Sequence, residues 1–73
     1  MILQHRRMKA LGDRIAQWRR RREMTLEELA SKMSISKGNL SDIENGKKDP
    51  RYSTLLAVTE GLGITVSTLL REL

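Results

Sequence analysis

The chain of 73 residues carries a net charge of +5, from 14 basic and 9 acidic residues, and it contains one histidine and no cysteine. A chain this short forms one domain around one small core, and the lack of cysteine excludes disulfides and thiolate metal sites. No apolar run approaches the ~20 residues that cross a bilayer, so we expect a cytoplasmic protein rather than a membrane protein.

The charge is distributed unevenly along the chain. Residues 1–22 hold eight basic residues and one acidic residue, a net charge of +7. Residues 23–46 hold two basic and five acidic residues, a net charge of −3, and residues 47–73 have a net charge of +1. If the chain binds DNA, the attraction to phosphates must therefore come largely from the two flanks.

The first nine residues are basic and show neither an apolar period nor a helix cap. They include His5, Arg6, Arg7 and Lys9. Two interpretations remain open, namely a flexible arm of the kind some DNA-binding domains use, or a solvated extension of the first helix. His5 has no second histidine or cysteine with which to share a metal, so no metal site is predicted. Residues 10–73 are predicted to form the folded domain.

A first helix is predicted from Leu11 to about Arg22. Leu11, Ile15 and Trp18 recur at helical spacing, which places the only tryptophan on the core face rather than in an exposed stacking position. The arginines at residues 19–22 form either a solvated face or a phosphate-directed cluster. Cations are also favourable at the C-terminal end of a helix.

Two short helices follow, joined by a tight turn. Thr25 and Glu28 have the spacing of a capping box, and an apolar face follows at Leu26, Leu29, Ala30 and Met33. Ser36 can cap the second helix, whose buried residues are Leu40 and Ile43. Its outward side chains are polar. This arrangement is typical of a helix-turn-helix.

The rest of the chain is predicted as a loop and two more helices. Gly46 ends the preceding helix and Pro50 prevents its continuation, which leaves Lys47, Lys48 and Arg51 as a second basic patch. Ser53 or Thr54 begins a fourth helix that Gly63 ends, and Thr65 caps a fifth. The apolar residues that exceed one core face are Leu56, Ile64, Val66 and Leu73. They either close the core or form a contact between two copies.

Four segments appear together in the order and at the spacing of one family. They are LGDRI, TLEELASKM, ISKGNLSDIENGKKDP and GLGITVSTLL, which lie between about Leu11 and Leu70. With these segments the chain resembles the lambda-repressor-like family of DNA-binding domains, the Xre/Cro type. The resemblance implies an all-α, compact five-helix fold and a homodimer formed through the C-terminal helices. It also implies a structural ion pair between Arg19 and Glu44.

The second helix of such a motif, residues 36–45 here, lies in the major groove. The residues expected to contact bases are Ser36, Lys37, Gly38, Asn39 and Asp42. Lys37 suits guanine, Asn39 suits adenine or a phosphate, and Asp42 can accept from cytosine. The residues expected to contact phosphates are Ser41, Asn45, Gly46, Lys47, Lys48 and Arg51.

Four positions depart from the family pattern. Glu23 and Ser34 stand where the family usually has glycine, and each costs roughly 1 kcal/mol if it keeps a positive φ. Gly38 stands where related repressors carry a base-contacting side chain. Leu26 replaces a glutamine whose amide meets a phosphate.

The function expected from these features is a sequence-specific transcriptional regulator of the repressor type. It would bind a palindromic operator on double-stranded DNA as a homodimer and be associated with the nucleoid. The alternative is a protein-interaction module on the same fold, an antitoxin or co-regulator, with weak or partner-dependent DNA binding. An enzyme is not expected, because the chain lacks cysteine, a phosphate-binding glycine loop and a carboxylate pair in a plausible pocket. No cofactor is predicted.

Overall fold

Apolar side chains from all five helices meet in one core. The computed structural model describes residues 2–73, with side chains from residue 5 onward. The helices are α1 (Ile2–Arg21), α2 (Leu26–Lys32), α3 (Lys37–Glu44), α4 (Tyr52–Leu62) and α5 (Val66–Leu70). The buried apolar residues are Ile15, Leu29, Ala30, Met33, Leu40, Ile43, Val58, Leu62 and Leu69. Over the described range the predicted all-α, five-helix fold is confirmed.

Helix α1 is longer than the sequence pattern predicted. It begins at Ile2 rather than Leu11, so residues 2–9 continue the helix instead of forming a separate flexible arm. These residues include no proline or glycine and several good helix formers, which explains a helix without an apolar period. The side chains of His5, Arg6, Arg7 and Lys9 are exposed along it. Trp18 is partly buried against the core, in agreement with its predicted place.

Three of the helices have a serine or threonine at the N-cap position, and its hydroxyl group accepts a backbone hydrogen bond. The Glu28 N–H donates to Thr25 Oγ1 at 3.0 Å, and the Thr25 N–H donates to Glu28 Oε1 at 2.8 Å, which completes the predicted capping box at α2. Ser36 caps α3 and Thr65 caps α5 in the same way, each accepting an N–H from three residues ahead. All three predicted caps are confirmed.

The predicted start of α4 was wrong by one or two residues. The helix begins at Tyr52, with Arg51 at the capping position and no side-chain cap. Arg51, Tyr52 and Ser53 are exposed, so water can satisfy the N–H groups of the first turn and a hydroxyl cap is not required.

Helices α1 to α4 end in one common arrangement. At each end a residue with left-handed backbone is followed by one whose N–H donates to the carbonyl five residues back, as in a Schellman motif. The left-handed residues are Glu23, Ser34, Gly46 and Gly63. Glu23 and Ser34 have φ values of 57° and 58°, so the two family glycines are replaced without a change of turn. Each replacement costs roughly 1 kcal/mol of backbone strain.

Candidate nucleic-acid interface

Helix α3 has one buried side and one exposed side. Leu40, Ile43 and Glu44 are buried. The residues predicted to contact bases lie on the other side, where Ser36, Lys37 and Gly38 are exposed and Asn39 and Asp42 are partly exposed. These five residues therefore lie on the side of α3 turned away from the core, from its cap Ser36 to Asp42, and we call this side the outer face of α3.

Lys37 has an acidic neighbour that the sequence pattern did not identify. Its Nζ lies 3.5 Å from Glu27 Oε1, at the N-terminal end of α2. Their side chains are 61% and 73% exposed, so this ion pair is weak and Lys37 is free to exchange it for another partner. The position of Glu27 follows from the turn between α2 and α3, and residue spacing within α2 gives no sign of it.

Asn39 is linked to the basic loop. The Lys48 Nζ donates to Asn39 Oδ1 at 3.2 Å. Reading adenine with both atoms of the amide requires Oδ1 to accept from N6 while the amide nitrogen donates to N7. Lys48 would have to leave Oδ1 for that contact, and a DNA phosphate is a suitable new partner for its ammonium group.

The residues predicted to contact phosphates lie mostly beside this face. Lys47, Lys48 and Arg51 are exposed in the loop between α3 and α4. A cleft of about 490 Å³ separates the loop from α3, with Asn39, Ile43 and Thr54 among its lining residues. The Asn45 amide donates to the Ser41 carbonyl and hydroxyl oxygens at 2.9 and 3.3 Å, which fixes the end of α3.

Gly46 differs from the other residues of the predicted phosphate set. It is buried, and its N–H donates to the Ile43 carbonyl at 3.1 Å as part of the helix end. The next N–H, that of Lys47, donates to the Asp42 carbonyl at 2.8 Å. Because both N–H groups are already bonded within the chain, the backbone gives no support to the prediction that Gly46 contacts a phosphate.

A buried ion pair joins α1 to the end of α3. Arg19 Nε donates to Glu44 Oε2 at 2.8 Å and Arg19 Nη2 donates to Oε1 at 3.1 Å. Arg19 Nη1 also donates to the Met24 carbonyl, at 3.0 Å. The two side chains are only 13% and 9% exposed, and the hydrogen bonds that Glu44 accepts from Arg19, together with the charge of Glu44, raise the pKa of Arg19. The residues that the resemblance paired are thus in bidentate contact.

Two glycines bring α1 against α3, and spacing did not single out the first of them. A Cβ on Gly12 would lie 2.5 Å from the Ile43 carbonyl oxygen and closer still to that of Glu44. A Cβ on Gly46 would lie 2.8 Å from the Lys9 Cα. The contact therefore needs a residue without a side chain at Gly12. We call Gly12, Arg19, Glu44 and Gly46 the α1–α3 seam.

The described part of the chain meets the requirements of neither a metal site nor a membrane-spanning helix. No group of three or more histidine, cysteine, aspartate or glutamate side chains is placed to hold a metal ion there. His5 is exposed. None of the helices between residues 2 and 73 is both long enough and apolar enough to cross a membrane.

Known proteins match both the sequence and the arrangement. The model of a family described as a helix-turn-helix domain matches residues 10–73. The chain belongs to the helix-turn-helix domain family. It is 42% identical over 62 residues to the immunity repressor protein of Bacillus phage phi105, a match that covers 85% of the chain and 43% of the repressor. The chain thus spans less than half of that relative's length.

Solved structures agree with this assignment. The clp gene regulator ClgR from Corynebacterium glutamicum superposes with a TM-score of 0.83 at 35% identity, covering 86% of the chain and 82% of that protein. A complex of the SinR and SinI proteins contains a chain that superposes with a TM-score of 0.78 at 38% identity, covering 85% of the chain and 61% of the matched chain. These relatives are named as repressors or regulators, which agrees with the expectation that the chain is not an enzyme.

Proposed function

We propose that this helix-turn-helix chain is the DNA-binding domain of a transcriptional repressor, with residues 36–45 in the major groove. The observation that carries the proposal is the outer face of α3, which presents polar side chains from a helix whose other side is fixed in the core. A major groove about 12 Å wide admits one α-helix, and residues near the N-terminal end of a recognition helix reach base edges. The similarity to a phage immunity repressor supports repression rather than activation.

The base contacts follow from the donors and acceptors on this face. Lys37 can leave Glu27 and donate to guanine O6 and N7, and Asn39 can read adenine once Lys48 has moved to a phosphate. Asp42 can accept from cytosine N4. Ser36 precedes these contacts and Gly38 lies between Lys37 and Asn39, where the lack of a side chain lets the backbone come close to the DNA.

Phosphate contacts would come from both sides of α3. Ser41, Asn45, Lys47, Lys48 and Arg51 lie on or after the helix. On the other side, the closeness of Gly46 to Lys9 places the first turns of α1 beside the loop, so their basic side chains extend the same positive surface. Such contacts set the register of the protein on DNA and make binding dependent on salt.

A dimer would give the selectivity that one helix lacks. One recognition helix reads a few base pairs, whereas two of them about 34 Å apart read both halves of a palindromic operator. Leu70 and Leu73 near the end of the chain are exposed apolar residues, and they are suited to a homodimer contact. A protein of this kind would work in the cytoplasm, at the nucleoid.

One observation favours a second function, that of a protein-interaction module such as an antitoxin or co-regulator. Residues 23–46 are acidic overall, and Glu27 and Asp42 place carboxylates at or beside the outer face of α3. These charges oppose phosphates. A matched structure is a complex of two proteins, which gives a precedent for a protein partner on this fold.

The test is selection of binding sites from a random duplex library, with the purified protein alone at near-physiological salt. The proposal predicts an enriched inverted repeat whose half-sites lie one helical turn apart. Enrichment of a single half-site would support sequence-specific DNA binding and contradict the homodimer. No enrichment, together with binding that disappears on a modest addition of salt, would contradict the repressor function and favour the interaction module.

A further inference from the structure

A cationic cleft lies between α1 and α5, outside every residue of the proposed DNA surface. Its volume is about 230 Å³, and three arginines, Arg14, Arg21 and Arg71, line it around Trp18. Glu72 is the one acidic residue among those that line it. Three guanidinium groups beside one carboxylate leave the cleft with an excess of positive charge.

The cleft is held in shape by contacts within the chain. Arg14 Nη1 donates to the carbonyls of Leu69 at 3.1 Å and of Arg71 at 2.9 Å, which ties α1 to the end of α5. The guanidinium carbon of Arg21 lies 4.7 Å from the centre of the Trp18 ring. Stacking of this kind restrains the guanidinium group while its in-plane N–H groups remain able to donate to a ligand.

The cleft opens away from the proposed DNA surface. Gly12 and Arg19 mark the side of α1 that packs on α3. Arg14 follows Gly12 by two residues, and Arg21 follows Arg19 by two. Two residues turn the helix by about 200°, so Arg14 and Arg21 lie almost opposite the side that packs on α3. The cleft therefore opens on the side of α1 that faces away from the recognition helix.

Its size and chemistry indicate the class of ligand. Pockets for small molecules and cofactors usually measure about 300–1,000 Å³, so this cleft suits one or two side chains better than a free cofactor. The planar fork of arginine matches a carboxylate with two parallel hydrogen bonds. We propose that the α1–α5 cleft binds an acidic segment of a partner protein, with aspartate or glutamate carboxylates on Arg21 and Arg71. This proposal does not depend on DNA binding.

Trp18 gives a direct way to test the proposal, because it is the only tryptophan and lines the cleft. The intact protein is titrated with hexaglutamate at an ionic strength of about 0.1 M, where the Debye length is about 10 Å, while Trp18 fluorescence is recorded. A hexaglutamine peptide serves as the uncharged comparison. We expect a saturable change with hexaglutamate alone. Arg21→Gln and Arg71→Gln should each weaken the affinity about tenfold, the usual effect of losing one charge-assisted hydrogen bond.

The control is Lys32→Gln, which removes the same charge from an exposed position at the end of α2. It should change the affinity for hexaglutamate by less than about twofold, because an exposed charge at a distance is screened. Circular dichroism checks that all three variants are folded. A flat fluorescence signal, an equal loss in Lys32→Gln, or displacement of hexaglutamate by duplex DNA would each overturn the proposal.

Discussion

The two sides of helix α3 differ in how firmly their charged groups are held. On the inner side, Arg19 and Glu44 form a bidentate pair in a seam where Gly12 leaves no room for a side chain. On the outer side, Lys37 and Glu27 are 3.5 Å apart and mostly exposed. The inner contacts fix the direction of the helix, while the outer groups can exchange their partners for a ligand. Changes on the inner side should therefore affect folding, and changes on the outer side should affect binding.

The largest effect is expected from breaking the buried pair. Glu44→Ala removes the carboxylate partner of the part-buried Arg19, which keeps its bond to the Met24 carbonyl, so the cost should approach the value of about 3–5 kcal/mol for breaking a fully buried pair. Since a domain of this size has a free energy of unfolding of about 3–5 kcal/mol, this variant should be largely unfolded by circular dichroism. The control is Asp13→Ala, which breaks the exposed pair with Lys9 and should cost less than about 1 kcal/mol. If urea denaturation showed equal losses in the free energy of unfolding for the two variants, the α1–α3 seam would not be held more firmly than an exposed ion pair.

The same substitution at two glycines should have opposite effects. Gly12→Ala drives a Cβ into two carbonyl oxygens and should cost about 1–3 kcal/mol or more, because the backbones of α1 and α3 would have to separate. Gly38→Ala, on the outer face, meets nothing and should stabilise α3 by up to about 1 kcal/mol. Thermal unfolding of the two variants measures both. A stable Gly12→Ala variant would refute the close approach of the helices.

On the outer face, Lys37→Ala should alter binding and leave folding unchanged. Loss of its contact to guanine is expected to remove about 1–3 kcal/mol of discrimination at one base position of each half-site. Lys47→Ala is the matched control, since loss of a phosphate contact weakens binding to all sequences alike and lowers the salt dependence. Titrations of each variant with the selected site and with its single-base variants distinguish a loss of base discrimination from a uniform loss of affinity. Identical base preferences in wild type and Lys37→Ala would exclude this lysine as a base contact.

A smaller effect is expected at the turn between α2 and α3, which sets the outer face in place. Ser34 has left-handed backbone with φ 58°, so Ser34→Gly should raise the free energy of unfolding by up to about 1 kcal/mol. Ser31→Gly, at an exposed position of α2, should lower the free energy of unfolding by about 0.5–1 kcal/mol. Urea denaturation of both variants gives the comparison. Destabilisation by Ser34→Gly would show that the Ser34 side chain contributes more than its backbone costs.

The smallest effect concerns the exposed capping box. Hydrogen bonds from the Thr25 backbone and then from its side chain lower the pKa of Glu28 below its ordinary value of 4.5. The contribution of Glu28 to stability is therefore complete above that value and is lost as the pH falls through the lowered pKa. The urea midpoint, measured from about pH 6 to pH 3, should fall less steeply in Glu28→Gln than in wild type. The same slope in both proteins would contradict this linkage.

Local signals were enough to predict most of the fold. Thr25, Ser36 and Thr65 were identified as caps because each stands immediately before an apolar helical pattern, and capping is a contact within four residues. The start of α1 stayed open between a flexible arm and an extension of the helix, since residues 2–9 have neither a cap nor an apolar period, and the structure has the extension. The start of α4 shifted to Tyr52 because its first turn needs no side-chain cap.

The site was only partly predictable, because its geometry depends on contacts between helices. Residue types placed Lys37 and Asn39 on the outer face of α3, but neither Glu27 nor Lys48 could be recognised as their neighbours. Gly12 could not be distinguished from any other helical glycine by sequence, because its constraint comes from the carbonyl oxygens of α3. Gly46 was expected to offer its N–H to a phosphate, and the structure uses that N–H to close the end of α3 instead.

The most direct test of the difference between the two sides is an NMR titration of the labelled protein with the selected duplex. The amide signals of residues 36–42 and of the loop at residues 47–51 should shift most. The signals of Trp18 and Arg21, on the side of α1 that faces away from α3, should keep their positions. Shifts concentrated around the α1–α5 cleft, with the signals of α3 unchanged, would contradict the assignment of the outer face of α3 as the surface that contacts DNA.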